Sequence, residues 1–387
     1  MITFKAKQLC LFSHCMLRLL PRSKQTILQQ VAKRNLSQGL SFPPRMPKET
    51  TTKQPLSGTF GVAKPSGPTS MALVNDIKKL VSNSSLFVEE SKLQGAKHKR
   101  KGKYRRGPVK IGQGGTLDPL ADGVLVVAIG KATRDLAEFL NCVKEYETTC
   151  LLGCETDSYD SEGAQVRVAP WKHVTREKVE EALQQFRGEI TQTPPIFSAL
   201  KMDGKPLYEY AREGIPLPRP IEARNVTIHS LEVIEWKGSD HSFRWPEKKL
   251  SEDQKKALEK ALKGVDEQAK VEDSPVSESE HSDVPTAFVL RMQVSGGTYV
   301  RSVAHELGHA LGSAAHVVTL TRTRQGRFTL RPTEPSDMSC VPWSVFEKAL
   351  ENPGEPDSDG RLEWERDVLE KFEVFDESNK KSKQQKN

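Results

Sequence analysis

Residues 112–123 read Gly-Gln-Gly-Gly-Thr-Leu-Asp-Pro-Leu-Ala-Asp-Gly. Glycines let a backbone come close to a ligand, and Pro119 keeps Asp118 out of helical geometry. A carboxylate on such a loop is presented outward instead of being absorbed into a helix cap. Ionised, it can act as a nucleophile or stabilise positive charge developing on a substrate. An Asp-Pro pair alone is an ordinary turn, so the weight of this reading rests on the surrounding residues.

A second segment, His305-Glu306-Leu307-Gly308-His309, matches the H-E-x-x-H pattern, in which two histidines one helical turn apart bind zinc beside a glutamate base. The longer version of that pattern needs a third histidine at position 315. That position is Ala, and His316 misses by one. Arg301 lies one turn before His305 on roughly the same helix side, which puts a cation beside the proposed metal, and Gly308 weakens the helix. Val300, Val303, Ala304, Leu307 and Leu311 form an ordinary core stripe. The expectation is a surface or packing helix that carries Arg301 at its start, with no metal.

The elements that must position these groups are legible in part. Phe60–Ala63 reads as a strand, followed by the turn Lys64-Pro-Ser-Gly-Pro-Thr-Ser70 and a capped helix over 71–81 whose Leu73, Val74, Ile77 and Leu80 share a face. Val124–Ile129 is a buried strand that starts where the Asp118 loop ends, and Tyr146–Leu152 is another. Thr175 caps a helix with Val179, Ala182, Leu183 and Phe186 on one side, ended by Gly188. Val226, Ile228, Val233 and Ile234 mark further strands, and residues 288–293 alternate with period two. The fold class is α+β, with a mixed, mostly antiparallel sheet flanked by helices and loops.

Between Lys237 and Pro285 the apolar pattern fails, apart from a helix opening at Ser251 with Gln254 three residues on and closing at Gly264. The segment 237–285 reads as a charged insertion looped out of the domain. Gly95–Arg106, Gly-Ala-Lys-His-Lys-Arg-Lys-Gly-Lys-Tyr-Arg-Arg, reads as a basic insertion, a phosphate-contacting loop or a nuclear import signal. The division is therefore a domain over 55–236, resuming at 286–335, and a charged tail over 350–387 that frays.

The chain has 387 residues, 36% hydrophobic and 28% charged, with net charge +7 and pI near 8.9. Such a balance assists approach to a polyanion. Positions 1–48 carry Lys5, Lys7, Arg18, Arg22, Lys24, Lys33, Arg34, Arg45 and Lys48 among Leu, Phe and Ile, with no acid before Glu49. That is the composition of a mitochondrial presequence or a disordered basic arm. Met46, at the end of this arm, offers a second start, so the expected localisation is dual: mitochondrion and nucleus or cytoplasm. Six cysteines show no C-x-x-C pair, which disfavours disulfides and structural zinc. No run of about 18 apolar residues occurs, so no membrane span is expected.

Five blocks occur in an order that resembles the TruB family of RNA pseudouridine synthases. They are Lys64-Pro65-x-Gly-x-Thr, Gly114-Gly-Thr-Leu-Asp-Pro119, Lys144-Glu-Tyr146, Pro194-Pro-Ile-Phe-Ser-Ala-Leu-Lys201 with Gly204 and Leu207–Arg212, and Gly297-Thr-Tyr-Val-Arg-Ser302. The resemblance spans roughly 58–330. It implies a pseudouridine synthase fold, no cofactor, and isomerisation of uridine, at position 55 of the T loop, with the family's aspartate at Asp118. It further implies an active-site tyrosine at Tyr146, an arginine at Arg301 that keeps the carboxylate ionised, and a second pocket tyrosine at Tyr299. The partner it implies is tRNA, through its T arm, with mRNA as a further candidate. Bacterial relatives commonly have His where this chain has Gln113, whose amide can still hydrogen-bond a phosphate or a displaced base. Lys64 and Gln113 join the substrate-binding set, and Arg105, Arg106, Arg187, Lys201 and Arg212 are the candidates for holding RNA backbone. The short charged stretch past the last block implies that the C-terminal RNA-binding domain of bacterial relatives is missing. A monomer is expected, and the competing classes are an RNA-binding or folding module without catalysis and a zinc hydrolase.

Overall fold

The computed structural model describes residues 55–95, 108–213, 215–262, 273–277 and 282–376. The arm 1–48 and nearly all of the basic insertion, including Arg105 and Arg106, lie outside them. The chain divides into residues 1–52 and 53–387, and the sheet and the candidate site both lie in the second unit. No helix among the described residues is long and apolar enough to cross a membrane.

In chain order the strands are β1 (Gly58–Lys64), β2 (Ile111–Gln113), β3 (Asp122–Ile129), β4 (Lys144–Leu152), β5 (Cys154–Thr156), β6 (Gln165–Val168), β7 (Gly188–Gln192), β8 (Lys201–Met202), β9 (Lys205–Pro206), β10 (Arg224–Gly238), β11 (Ala287–Val294), β12 (Ala315–Gln325), β13 (Phe328–Thr329), β14 (Met338–Ser339), β15 (Val341–Pro342) and β16 (Glu373–Val374). Twelve of them form one sheet with the path β15-β1-β3-β12-β4-β11-β10-β7. Pairing along that path is antiparallel except for β1 with β15 and β12 with β3, which agrees with the expected mixed α+β class. In β11, Phe288, Leu290, Met292 and Val294 are buried while Arg291 is exposed, as period two requires.

Helix boundaries follow their caps. Thr69 accepts the amide of Ala72 and opens the helix Ser70–Val81, and Thr175 accepts the amide of Lys178 and opens Arg176–Ala182. Leu73, Val74, Ile77 and Val81 bury themselves with Phe60 and Val62 of β1 and Leu125, Val127 and Ile129 of β3. A second core gathers residues from β4, β10, β11 and β12 with the helix Val300–Ala310. The Asp118 loop leads from one to the other, because Leu117 and Ala121 belong to the second core while Leu125, Val127 and Ile129 of β3 belong to the first.

Two expectations are corrected. Residues 350–376 do not fray: the helix Glu363–Glu370 buries Trp364 and Val368, Phe372 joins the same core, and β16 pairs with β1 through Gly58–Val374 and Thr59–Glu373. Most of the charges that give the segment its polar look sit on the helix's outer side, Glu365 is buried and accepts the Ser84 hydroxyl, and three apolar residues one turn apart supply the rest of the buried side. Trp364, 2% exposed with its ring 6.2 Å from that of Phe87, carries much of this docking. Trp364→Ala is expected to cost about 3–5 kcal/mol in urea unfolding. A change below about 1 kcal/mol would mean that the segment rests on the surface.

The segment 237–285 is likewise not looped away. The helix Glu252–Leu262 forms, with Ser251 and Gln254 exchanging bonds, but Trp245 packs on the second core and donates its indole N–H to Leu152 O at 2.9 Å. Gln165 and Val168 take backbone bonds from Leu250 and Ser274. The helix's expected end at Gly264 lies outside the described residues.

Candidate active site

Asp118 occupies a loop fixed by its own carbonyls. Ser70 Oγ, at the start of the helix Ser70–Val81, donates to Leu117 O and accepts Leu117 N–H, both at 2.8 Å. Ser66 Oγ donates to Leu120 O at 2.7 Å, and Gly67 N–H to Pro119 O at 2.8 Å. Held this way, Asp118 directs Oδ2 at Arg301 Nε, 2.8 Å away. Among the described residues no hydrogen bond reaches Oδ1. The carboxylate is 35% exposed and its arginine 3%, so a partly solvent-open carboxylate rests on a buried cation.

Arg301 comes from the first turn of the helix Val300–Ala310 and spends its remaining donors on Ser158 O and, at 2.9 Å, Phe197 O. Asp160 Oδ2 is 3.7 Å from the same guanidinium. Burial opposes the charge on Arg301, but Asp118 and Asp160 outweigh it and raise its pKa. Burial also raises the carboxyl of Asp160, with Asp118's charge adding to the rise and Arg301 and the Ser158 hydroxyl opposing it. Tyr159, between Ser158 and Asp160, has φ of 63° and stacks on His305 at 3.9 Å. A bulky residue held in that conformation marks a place where the surroundings impose the backbone.

Tyr146 is buried in β4, opposite Met292 and Arg322, in the same core as Leu117 and Ala121. Tyr299 lies just before the Arg301 helix. Its backbone N–H donates to Gln192 Oε1 at 2.8 Å and its carbonyl accepts Gln192 Nε2 at 3.1 Å. The Arg224 guanidinium sits 5.0 Å from its ring centre, and its phenol is within electrostatic reach of Arg301.

Three of the expected contact residues are placed differently. Lys64 does not reach outward for RNA: it is 2% exposed, and its ammonium bonds Pro65 O, Pro119 O and Ala121 O at 2.9, 3.2 and 2.5 Å. It anchors the Asp118 loop from below. Gln113 turns its amide into the same loop, donating to Thr116 Oγ1 at 3.1 Å. Arg187 is committed to Leu231 O through two donors. Of the other backbone candidates, Lys201 is exposed, and the side chain of Arg212 lies outside the described residues. Asp160, Ser158 and Gln192 are additions. The run Thr156-Asp-Ser-Tyr-Asp-Ser-Glu-Gly163 carried the signal for the first two, since three acids in so short a run are costly in a protein that approaches a polyanion.

Burial pushes the Lys64 ammonium down to about 8 against the pull of Asp122, Asp118 and Glu162. Because the unfolded chain then binds more protons between pH 8 and 10.5, stability rises with pH across that window. The Lys64 Cε resonance is expected to titrate near pH 8 in a 13C-lysine spectrum assigned with Lys64→Met. Titration at the ordinary lysine value would place the ammonium in water.

The H-E-x-x-H pattern folds into a different cluster. Glu155, not Glu306, lies with His305 and His309, their ligand atoms within 4.8 Å of one another. The neighbouring cation is Arg167, not Arg301. Arg167 lies 2.9 Å from Glu155 Oε2 and 3.3 Å from His309 Nε2, and donates to Ser313 O at 3.0 Å. Burial raises the Glu155 carboxyl, but His305, His309 and Arg167 overcome it and bring it to about 2. A guanidinium already supplies positive charge beside Glu155 and His309, and the cluster reads as an ion network around the buried Glu155.

Residues 99–251 match the family described as TruB family pseudouridylate synthase (N terminal domain). The chain is 37% identical over 342 residues to tRNA pseudouridine synthase 4 of Schizosaccharomyces pombe, covering 75% of this chain and 82% of that one. It is 35% identical over 345 residues to tRNA pseudouridine synthase 4 of Saccharomyces cerevisiae, covering 76% and 85%. With tRNA pseudouridine synthase B of Aromatoleum aromaticum it shares 40% identity over 221 residues, which is 57% of this chain and 56% of that relative.

Proposed function

Since the chain belongs to the TruB family of pseudouridylate synthases and is a tRNA pseudouridine synthase, we propose that it converts uridine 55 in the T loop, with the carboxylate of Asp118 as the acting group. The isomerisation breaks the bond between N1 and the sugar C1′, turns the base and joins C5 to C1′; C5 loses its proton and N1 gains one. An ionised carboxylate serves this as nucleophile towards the sugar or as counter-charge to it. The observation that carries the reading is the pairing of a half-open Asp118 with a buried Arg301 at 2.8 Å, on a loop whose carbonyls are tied down.

A uridine in a folded loop must leave its stack, at a cost of a few kcal/mol. Tyr146 and Tyr299 offer stacking faces and proton-bearing hydroxyls for the displaced base. Incubating an unmodified tRNA transcript with the purified protein in EDTA, then mapping pseudouridine, tests the reading. One new pseudouridine in the T loop is expected. A product elsewhere would overturn the T-loop assignment, and tight binding without product would favour a non-catalytic RNA-binding module.

Two further parts rest on sequence. The acid-free basic stretch 1–48, with Met46 near its end as a second start, supports a mitochondrial form beside a nuclear or cytoplasmic one. Cell fractionation that finds a single pool would reject this. The protein works as a monomer with mRNA as a second substrate class, tested by gel filtration and by mapping transcripts that carry a T-loop-like hairpin.

A further inference from the structure

Arg322 on β12 is 1% exposed and ranks among the largest fully buried side chains of the described residues. Among those residues no ion pair includes it. Its donors end on carbonyls: Nε on Val124 O at 2.7 Å, NH1 on Thr116 O at 3.4 Å and NH2 on Gly115 O at 3.1 Å. A cation taken out of water without a carboxylate partner costs several kcal/mol, and an apolar side chain of similar size would fill the volume more cheaply. Something other than volume therefore keeps an arginine here.

The carbonyls it binds supply the reason. Gly114 O accepts Gln325 Nε2 at 2.6 Å, Gly115 O and Thr116 O accept Arg322, and Leu117 O accepts Ser70. Asp118 O accepts the Ala121 amide. Pro119 O and Ala121 O accept Lys64, and Leu120 O accepts Ser66. Every carbonyl from Gly114 to Ala121 is thus held, and side chains of β12 hold the first three. Gln325 also donates to Phe139 O at 2.9 Å, tying that part of the loop to the neighbouring helix. β12 runs parallel to β3 through the pair Arg322–Gly123, and antiparallel to β4 through Arg322–Tyr146. Directly opposed residues on antiparallel strands share a face, so one arginine joins the strand of Tyr146 to the loop of Asp118.

We propose that Arg322 is a positioning residue for catalysis: by spanning Gly115, Thr116 and Val124 it sets where the Asp118 carboxylate stands relative to Tyr146, without touching substrate. The inference rests on the Asp118 reading. A planar fork reaches carbonyls spread around it through separate nitrogens, as Arg322 does with Nε, NH1 and NH2, whereas a lysine must gather its acceptors around one nitrogen, as Lys64 does.

The test uses the full chain with Arg322→Lys, Arg322→Gln and Gln325→Ala beside Asp118→Asn. Single-turnover rate at saturating enzyme, tRNA affinity at fixed salt and thermal melting are measured for each. Arg322→Lys is expected to melt as a folded protein, bind tRNA within about twofold and turn over roughly 10²-fold more slowly, the loss that follows a misplacement of about 1 Å. Arg322→Gln is expected to do the same or worse. Gln325→Ala removes no charge and reads the same loop if the arginine variants fail to fold; it is expected to slow the rate several-fold at unchanged affinity. A folded Arg322→Lys protein with wild-type rate overturns the proposal, as does a loss that appears in affinity alone. If the arginine variants do not fold, a wild-type rate in Gln325→Ala overturns it. An active Asp118→Asn overturns the Asp118 reading beneath it, which separates the two failures.

Discussion

Asp118→Asn is expected to lose at least about 10⁴-fold in single-turnover rate while binding tRNA within a few-fold of the unaltered protein. Asparagine keeps the shape and one acceptor oxygen, so Arg301 Nε retains a partner where it now has Asp118 Oδ2 at 2.8 Å. What disappears is the negative charge, which is the property the proposed chemistry uses. The carboxylate is 35% exposed but Arg301 is 3% exposed, so the change leaves the buried cation with Asp160 at 3.7 Å as its countercharge and is expected to lower the melting temperature while the protein stays folded. Asp118→Glu is the more exacting variant. The loop cannot retreat to accommodate an extra methylene, because the carbonyls on both sides of Asp118 are bonded. Its charge is intact but displaced, and a loss of roughly 10²-fold is expected. Pseudouridine yield in Asp118→Asn within tenfold of the unaltered protein would remove Asp118 from the chemistry.

Arg301→Met is expected to be the most destabilising single change in the site, by about 3–5 kcal/mol, because it strands a buried charge. Ser158 O and Phe197 O lose their donor, and Asp160, 3% exposed, loses its nearest countercharge at 3.7 Å. The sign of the pH dependence comes from Asp160. Its carboxyl already sits above the usual carboxylate range because of burial, so the folded state holds its proton more tightly than the unfolded chain does. Without the arginine this rise grows. The penalty is then fully present at neutral pH and shrinks as pH falls through the raised value towards the unfolded one. Melting temperatures of Arg301→Met and the unaltered protein are expected to converge as the pH is lowered from neutrality. A deficit independent of pH would show that lost packing, not the stranded carboxylate, sets the cost. Activity is expected to vanish even where the variant is folded, since Asp118 then lacks the guanidinium that bonds its Oδ2.

The parts of this site that are legible in the sequence share one property: they lie in short blocks whose residue types are unusual together. Asp118 announces itself through glycines and a following proline, and Arg301 through Gly297-Thr-Tyr-Val-Arg. Lys64 is visible as a residue but not in its role, because nothing local tells whether an ammonium will meet phosphate or three backbone carbonyls. Arg322 is obscured for a related reason. The run Val317-Val-Thr-Leu-Thr321 is rich in β-branched residues and signals a strand, yet the alternation of Thr and Arg after it looks like a solvated edge. Only the pairing with β3 and β4 turns that face inward. The H-E-x-x-H pattern misleads in the opposite sense: its cation, Arg167, lies 142 residues from His309 and cannot be foreseen from the pattern itself.

β1, the first strand of the described residues, has its outer edge covered by β15 along Val62 and Ala63 and by β16 along Gly58 and Thr59, and Thr59 Oγ1 donates to Glu373, 314 residues away. The edge that ribosomes make early is thus closed by residues they make 279 positions later at Val62–Val341 and 316 positions later at Gly58–Val374. At about 5–20 residues per second, the nascent strand stands open for roughly 15–60 s, long enough to pair with another chain unless something shields it. A premature stop between β3 and β15 would therefore leave the whole of this edge open on every molecule produced, and such products are expected to be cleared or to precipitate rather than to persist as shortened enzymes.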